Sequence, residues 1–299
     1  MEQRTFGRTD MKVSVLGFGG AMIGLEDTPL DQAKKLLNTA LELGINVIDT
    51  SASYLSSEEL IGQAVSDRRQ DYYLFSKCGE GTSVGLEYPD WDPRNVRPSV
   101  ERSLKRLQTD YLDLILIHSC TEAVLRQGGL VEEVKKLKRD GLVRYIGYSG
   151  DSTDMLYALE LGLFDAIETT VNFADQEAIE MTLGRAARDG LGVIAKRPVA
   201  NVAWSRGKDE PNNPDEYRER LDKLNYPFLE QSSEEILETA LRFTLSVPGV
   251  HTAIVGTTKE EHLRSNVEMA ARGPLPEAKM REIRERWQSV REPAWAGLK

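Results

Sequence analysis

Short apolar, β-rich runs recur along the chain: VSVLGFGG, INVIDT, YYLFSK, YLDLILIH, VRYIGYS, AIETTVN, GVIAKR and TAIVGT. Segments with helical spacing lie between them. In DQAKKLLNTALELG, residues Ala33, Leu36, Leu37, Ala40 and Leu41 share one face, and Gly44 supplies the stop signal of a helix C-terminus. NVRPSVERSLKRLQTD and VEEVKKLKRDG repeat that pattern before the next apolar run. Strands alternating with helices predict parallel pairing through right-handed crossovers. Eight such units predict an α/β fold closed into a single (β/α)8 TIM barrel. No linker rich in Pro, Gly or Ser divides the chain, so residues 1–299 are expected to form one domain. The opening RTFGRTDMKVS predicts a short N-terminal β-hairpin with a glycine-containing turn, plugging the bottom of the barrel. Two connections on the C-terminal face are long: residues 79–94, and residues 198–231 with NNPDE inside. Long loops in a compact domain are usually functional or disordered.

Composition changes this picture little. At 299 residues the chain is long for a sandwich and ordinary for one barrel. The net charge of −10 argues against a nucleic-acid partner, whose phosphates would be repelled. MEQRTFGRTD lacks an apolar leader, and no run approaches the roughly 18 apolar residues of a membrane helix. Two cysteines, Cys78 and Cys120, suit a reducing cytoplasm, which is the expected location. The oligomeric state is left open.

Candidate chemistry gathers where the strands end. GINVIDTSASY runs from an apolar strand into Asp49, with Tyr54 five residues on. Lys77 ends the third strand and His118 the fourth. Active sites of such barrels lie at the C-terminal ends of the strands. Taken singly, Asp49 is as well explained as a helix cap, Lys77 as a solvated strand end, His118 as a core histidine and Tyr54 as a loop aromatic. Together, at one end of neighbouring strands, they predict a site.

GINVIDTSASY, the strand ending in Lys77, RSLKRLQTDYLDLILIH, LKRDGLVRYIGYS and AIVGTTKEEHLRSN resemble the aldo-keto reductase superfamily, in the family's order and over nearly the whole chain. The resemblance implies a bacterial-type aldo/keto reductase with Asp49, Tyr54, Lys77 and His118 as its catalytic tetrad. It implies reversible reduction of an aldehyde or ketone by NADPH, with NADH possible. These residue types suit that chemistry. Hydride arriving at a carbonyl carbon leaves negative charge on oxygen, which needs a proton or a stabilising donor. A phenol with an ordinary pKa of roughly 10 is a sluggish acid. A neighbouring ammonium favours its phenolate, so Lys77 is expected to lower it. Asp49 would hold Lys77 charged, and His118 would orient the carbonyl.

Rival signatures fail on spacing. GFGGAMIG at residues 17–24 has Met22 in place of the last glycine of GxGxxG, and is better explained as a backbone-lined loop. Tyr73 and Lys77 match a Y-x-x-x-K pair, but on a strand they lie roughly 13 Å apart at about 3.3 Å per residue. A carboxylate-pair hydrolase lacks a partner for Asp49, because Asp113 starts its strand rather than ending it. The histidines His118, His251 and His262, with the two cysteines, lack zinc-site spacing, so no metal is expected.

The resemblance also implies cofactor contacts at the other strand ends. Gly20 and Asp49 join Ser149, at the place the family uses beside the nicotinamide carboxamide. Gly150 stands where many members have asparagine and Glu168 where many have glutamine; Asn172 either assists or closes a turn. Lys196 and Arg197 stand where many members stack an aromatic. Thr257, Thr258, Lys259 and Asn266 are candidates in VGTTKEEHLRSN, which leads from the eighth strand into a helix whose N-terminus can receive phosphate. The cationic pair common in phosphate-preferring members falls on Gly256 and His262, leaving Lys259 to favour NADPH modestly. Tyr88, Trp91 and Trp204, with Trp295 in the tail, are candidates to line a pocket for a small-molecule carbonyl substrate. A non-catalytic cofactor-binding partner or sensor of the same fold is the alternative.

Overall fold

A computed structural model describes residues 1–205 and 215–298. Eight parallel strands close into a barrel: β3 (Leu16–Gly19), β4 (Val47–Asp49), β5 (Tyr73–Cys78), β6 (Leu112–His118), β7 (Val143–Ser149), β8 (Ala166–Thr170), β9 (Gly192–Lys196) and β10 (Thr252–Val255), with β10 paired back onto β3. Before them, β1 (Gln3–Thr5) pairs antiparallel with β2 (Lys12–Ser14) as the expected hairpin.

The alternation of each strand builds two cores. Val47, Phe75, Leu114, Leu116, Ala166 and Ile194 fill the barrel interior together with Phe6, Met11 and Val13 of the hairpin. Their neighbours Ile48, Leu74, Ile115, Ile117, Ile167 and Val193 point outward into the helical layer. The hairpin therefore plugs the bottom, as predicted. Phe6 stacks on Phe75 with ring centroids 5.7 Å apart, and the backbone amides of Asp10 and Lys12 donate to the hydroxyls of Tyr145 and Tyr73. Its turn requires glycine: Gly7 has φ +55°, and a Cβ there would lie 2.3 Å from the Gly192 nitrogen.

The helix Leu30–Glu42 buries Ala33, Leu36, Leu37, Ala40 and Leu41, the face read from the sequence, and is followed by Gly44 at φ +84°. The two long connections carry structure of their own. Asp90 accepts from the Gly81 and Ser83 amides, and Asn95 donates to the Tyr88 and Pro89 carbonyls, so 79–94 folds on itself. Within 198–231 lies the helix Asp215–Leu224; much of the NNPDE stretch lies outside the described residues. No helix among the described residues is long and apolar enough to cross a membrane.

Candidate active site

The interior alternation carries directly into chemistry. Two residues beyond Val47 comes Asp49, two beyond Phe75 comes Lys77, two beyond Leu116 comes His118, and two beyond Ala166 comes Glu168. Lys77 is completely buried. Its Nζ donates to Asp49 Oδ1 at 2.5 Å and to the Thr50 carbonyl at 3.1 Å, and lies 3.4 Å from Glu168 Oε2. β5 and β8 are not neighbours in the barrel, so that last contact crosses the interior. Burial alone would lower the Lys77 ammonium, but Asp49 and Glu168 outweigh it and raise it, so Lys77 stays cationic.

Tyr54 reaches the same place from the loop after β4. Its ring centroid is 5.2 Å from Lys77 Nζ and 6.2 Å from the His118 ring, which meets it edge-on. The loop comes this close because of Gly24, where a Cβ would lie 2.0 Å from the Tyr54 carbonyl oxygen. The four residues expected to act together are thus together. The expected lowering of the phenol's pKa is corrected. Burial raises it, Lys77 pulls it down, Asp49 and Glu168 push it back, and the net result is about 12. Two carboxyl groups behind the lysine leave too little positive charge to reverse desolvation.

His118 is fixed by Glu80, a residue the sequence reading did not single out. Glu80 Oε1 takes the hydrogen bond of His118 Nδ1, and Glu80 also bonds Ser53 in the loop that carries Tyr54. Burial would raise the Glu80 carboxyl, but the His118 hydrogen bond and charge hold it below its ordinary value. A carboxylate accepts only, so Nδ1 must donate, and Nε2 then bears a proton only when the ring is cationic. The available signal was KCGEG, which puts an acid three residues past Lys77.

The remaining candidates divide. Ser149 Oγ donates to Glu168 Oε1 at 3.2 Å, in the row His118, Ser149, Glu168 of adjacent strands. Gly150 has no room for the asparagine of other members, because a Cβ would lie 2.6 Å from the Tyr148 ring. Gly20 donates its amide to the Asp49 carbonyl at 2.7 Å. Lys196 is paired with buried Asp151 at 2.8 Å, while Arg197 takes φ +54° and its carbonyl accepts from Asn172, which also closes its own turn. Thr257 accepts from the Lys259 amide, Thr258 donates to Glu26, and Asn266 is buried in the helix Glu260–Ala271.

Of the aromatics, Trp91 comes to the site: its indole N–H donates to the His118 carbonyl at 3.0 Å. Tyr88 lies under the Arg94 guanidinium. Trp204 packs on Phe173 beside a cavity of about 320 Å³ lined also by Arg218, Leu221 and Tyr226. Trp295 lies against Arg220 beside a second cavity of about 570 Å³ between the helix Asp215–Leu224 and the C-terminal tail. Neither cavity is lined by Tyr54 or Lys77.

The sequence model of the Aldo/keto reductase family matches residues 15–288. The chain is 30% identical to the oxidoreductase YqkF of Bacillus subtilis, covering 95% of each protein. It is 29% identical to L-galactose dehydrogenase of Arabidopsis thaliana, covering 89% of this chain and 87% of that one. Its fold superimposes on the holo form of the aldo-keto reductase AKR11C1 from Bacillus halodurans with a TM-score of 0.80, at 28% identity and 96% coverage of both. The chain belongs to the aldo/keto reductase family and is an oxidoreductase of (β/α)8 architecture.

Proposed function

We propose that this protein reduces an aldehyde or ketone to an alcohol with NADPH, and that Tyr54 is the proton donor. The observation that carries the reading is the buried Lys77, bonded to Asp49 at 2.5 Å with the Tyr54 ring 5.2 Å away and His118 beyond it. A bound nicotinamide dinucleotide supplies the hydride. The residues at the strand ends suit such a group. Gly256, where a Cβ would meet the Gly19 carbonyl and Met22 at 2.9 Å, brings no side chain of its own to the start of the helix Glu260–Ala271. Lys259 and the first N–H groups of that helix form a donor set for phosphate, with Thr257 bonded to the Lys259 backbone and Thr258 bonded to Glu26 beside them. Ser149, bonded to Glu168, and Glu168, beside Lys77, would meet the carboxamide.

With a pKa near 12 the phenol is fully protonated at neutral pH and ready to give its proton to the carbonyl oxygen as charge develops there. Lys77 stabilises the phenolate left behind, and Asp49 keeps the ammonium in place. The His118 ring is held by Glu80 at Nδ1, so it can donate from Nε2 to the same oxygen only when both ring nitrogens carry a proton. Trp91 donates its indole N–H to the His118 carbonyl and fixes the end of that strand.

Oxidation of NADPH against a panel of small aldehydes and ketones, with aldose sugars run in the oxidative direction because of the plant relative, tests the activity. Dissociation constants for NADPH and NADH test the cofactor. Arg264 is tied to Glu260, and Glu26 lies at Thr258, so Lys259 is the cation assigned to the phosphate. One charge-assisted contact contributes about 1.5–3 kcal/mol, so Lys259→Ala should reduce the NADPH preference about ten-fold or more. No turnover across the panel, or a preference unchanged in Lys259→Ala, contradicts the corresponding half.

A further inference from the structure

We propose that Asp49 and Glu168 share one proton as a carboxyl pair beneath Lys77, and that Glu168 is a positioning residue setting the charge felt by Tyr54. Lys77 Nζ is the single ammonium facing two carboxyl groups, 2.5 Å from Asp49 and 3.4 Å from Glu168, and all three side chains are at least 98% buried. Fully ionised, the three would leave one uncompensated negative charge in a dry site, which is costly. The oxygens Asp49 Oδ2 and Glu168 Oε2 are both buried and neither accepts a hydrogen bond. Both carboxyl groups meet on the same ammonium, Lys77 Nζ. One proton between them makes one a donor and the other an acceptor, and leaves the lysine facing a single negative charge.

Two carboxyl groups confined together cannot both ionise readily. Burial first, then Glu168, raises Asp49 to about 8 against the pull of Lys77. The groups facing the pair are Lys77 from β5, Tyr54 from the loop after β4, the Ser149 hydroxyl from β7 and, beyond Tyr54, the His118–Glu80 pair; Lys196 on β9 is committed to Asp151. A glutamine at position 168 could take part in no such sharing. This chain's departure from that residue therefore has a consequence: as the pair loses its proton, the phenol is held protonated more firmly, and reduction is favoured over the reverse reaction.

The inference rests on the proposed role of Tyr54 only for its kinetic arm. Infrared difference spectra of the cofactor-free protein come first. Wild type near neutral pH should show a protonated-carboxyl C=O band that shifts in D₂O and fades around pH 8. Asp49→Asn and Glu168→Gln should each remove that same band. In the kinetic arm, Glu168→Gln should move the alkaline limb of kcat/KM for reduction down by about one pH unit, a ten-fold change in proton concentration. Absence of the band from wild type overturns the proposal and needs no variant to fold. So does an alkaline limb that stays where it is in an active Glu168→Gln protein. A Tyr54→Phe protein that still turns over would overturn the acid assignment while leaving the infrared result standing.

Discussion

Glu80 shows how much of this site depends on a residue that touches nothing reactive. It accepts the hydrogen bond of His118 Nδ1 and bonds Ser53, tying the imidazole to the loop that presents Tyr54. Replacing its carboxylate by an amide removes a charge-assisted hydrogen bond contributing about 1.5–3 kcal/mol. Glu80→Gln should therefore lower kcat/KM about ten- to a hundred-fold, while the dinucleotide dissociation constant stays within about two-fold. Steady-state kinetics beside a fluorescence titration checks both. Unchanged kcat/KM would mean that His118 does not depend on Glu80 for its proton. Glu80 was not foreseen because its meaning lies in a contact across two loops. Asp49, Lys77 and His118 were legible because each ends a strand whose apolar alternation fixes the direction of its last side chain. The phenol's pKa was misjudged for a physical reason: spacing shows which charges are near, but not how deeply they are buried or how many face one another.

At the scale of elements, the hairpin closing the barrel bottom is separable from the chemistry at the top. Phe6 is fully buried among Phe75, Val13 and Met11. Phe6→Ala should destabilise the protein by about 3–5 kcal/mol without changing cofactor affinity. Denaturant unfolding measures the first and titration the second. A loss below about 1 kcal/mol would show that the hairpin merely lies against the barrel. All eight strands, the hairpin and the apolar face of the helix Leu30–Glu42 follow from periodicity and turn chemistry. The short helix Ala21–Leu25, whose Gly24 admits Tyr54, did not, because five residues carry too little periodicity to register. The helix Asp215–Leu224 is likewise obscured in the sequence, because charged residues outnumber apolar ones along it. It is held by Tyr217 and Arg220, the latter bonding the Ala296 carbonyl of the tail.

Across the whole molecule, buried acids tie stability to pH. Burial raises Asp175 from 3.8 to about 7, against the pull of Arg220. A folded-state pKa above the unfolded value means that folding retains a proton; this contribution is complete below about pH 4 and is lost as pH rises through about 7. Asp175→Asn should remove that slope, so the variant's Tm should rise relative to wild type by several degrees between about pH 4 and pH 8. Thermal scans across that range check it, and a constant difference would place the Asp175 titration outside the window. If the buried charge unit exists so that Tyr54 can deliver a proton, losing the phenol should stop the chemistry without loosening the cofactor. The most direct measurement is carbonyl reduction by Tyr54→Phe, read beside its cofactor dissociation constant. A fall in kcat of about a hundred-fold or more with cofactor binding nearly unchanged is the predicted result; a variant that retains most of its kcat contradicts the account.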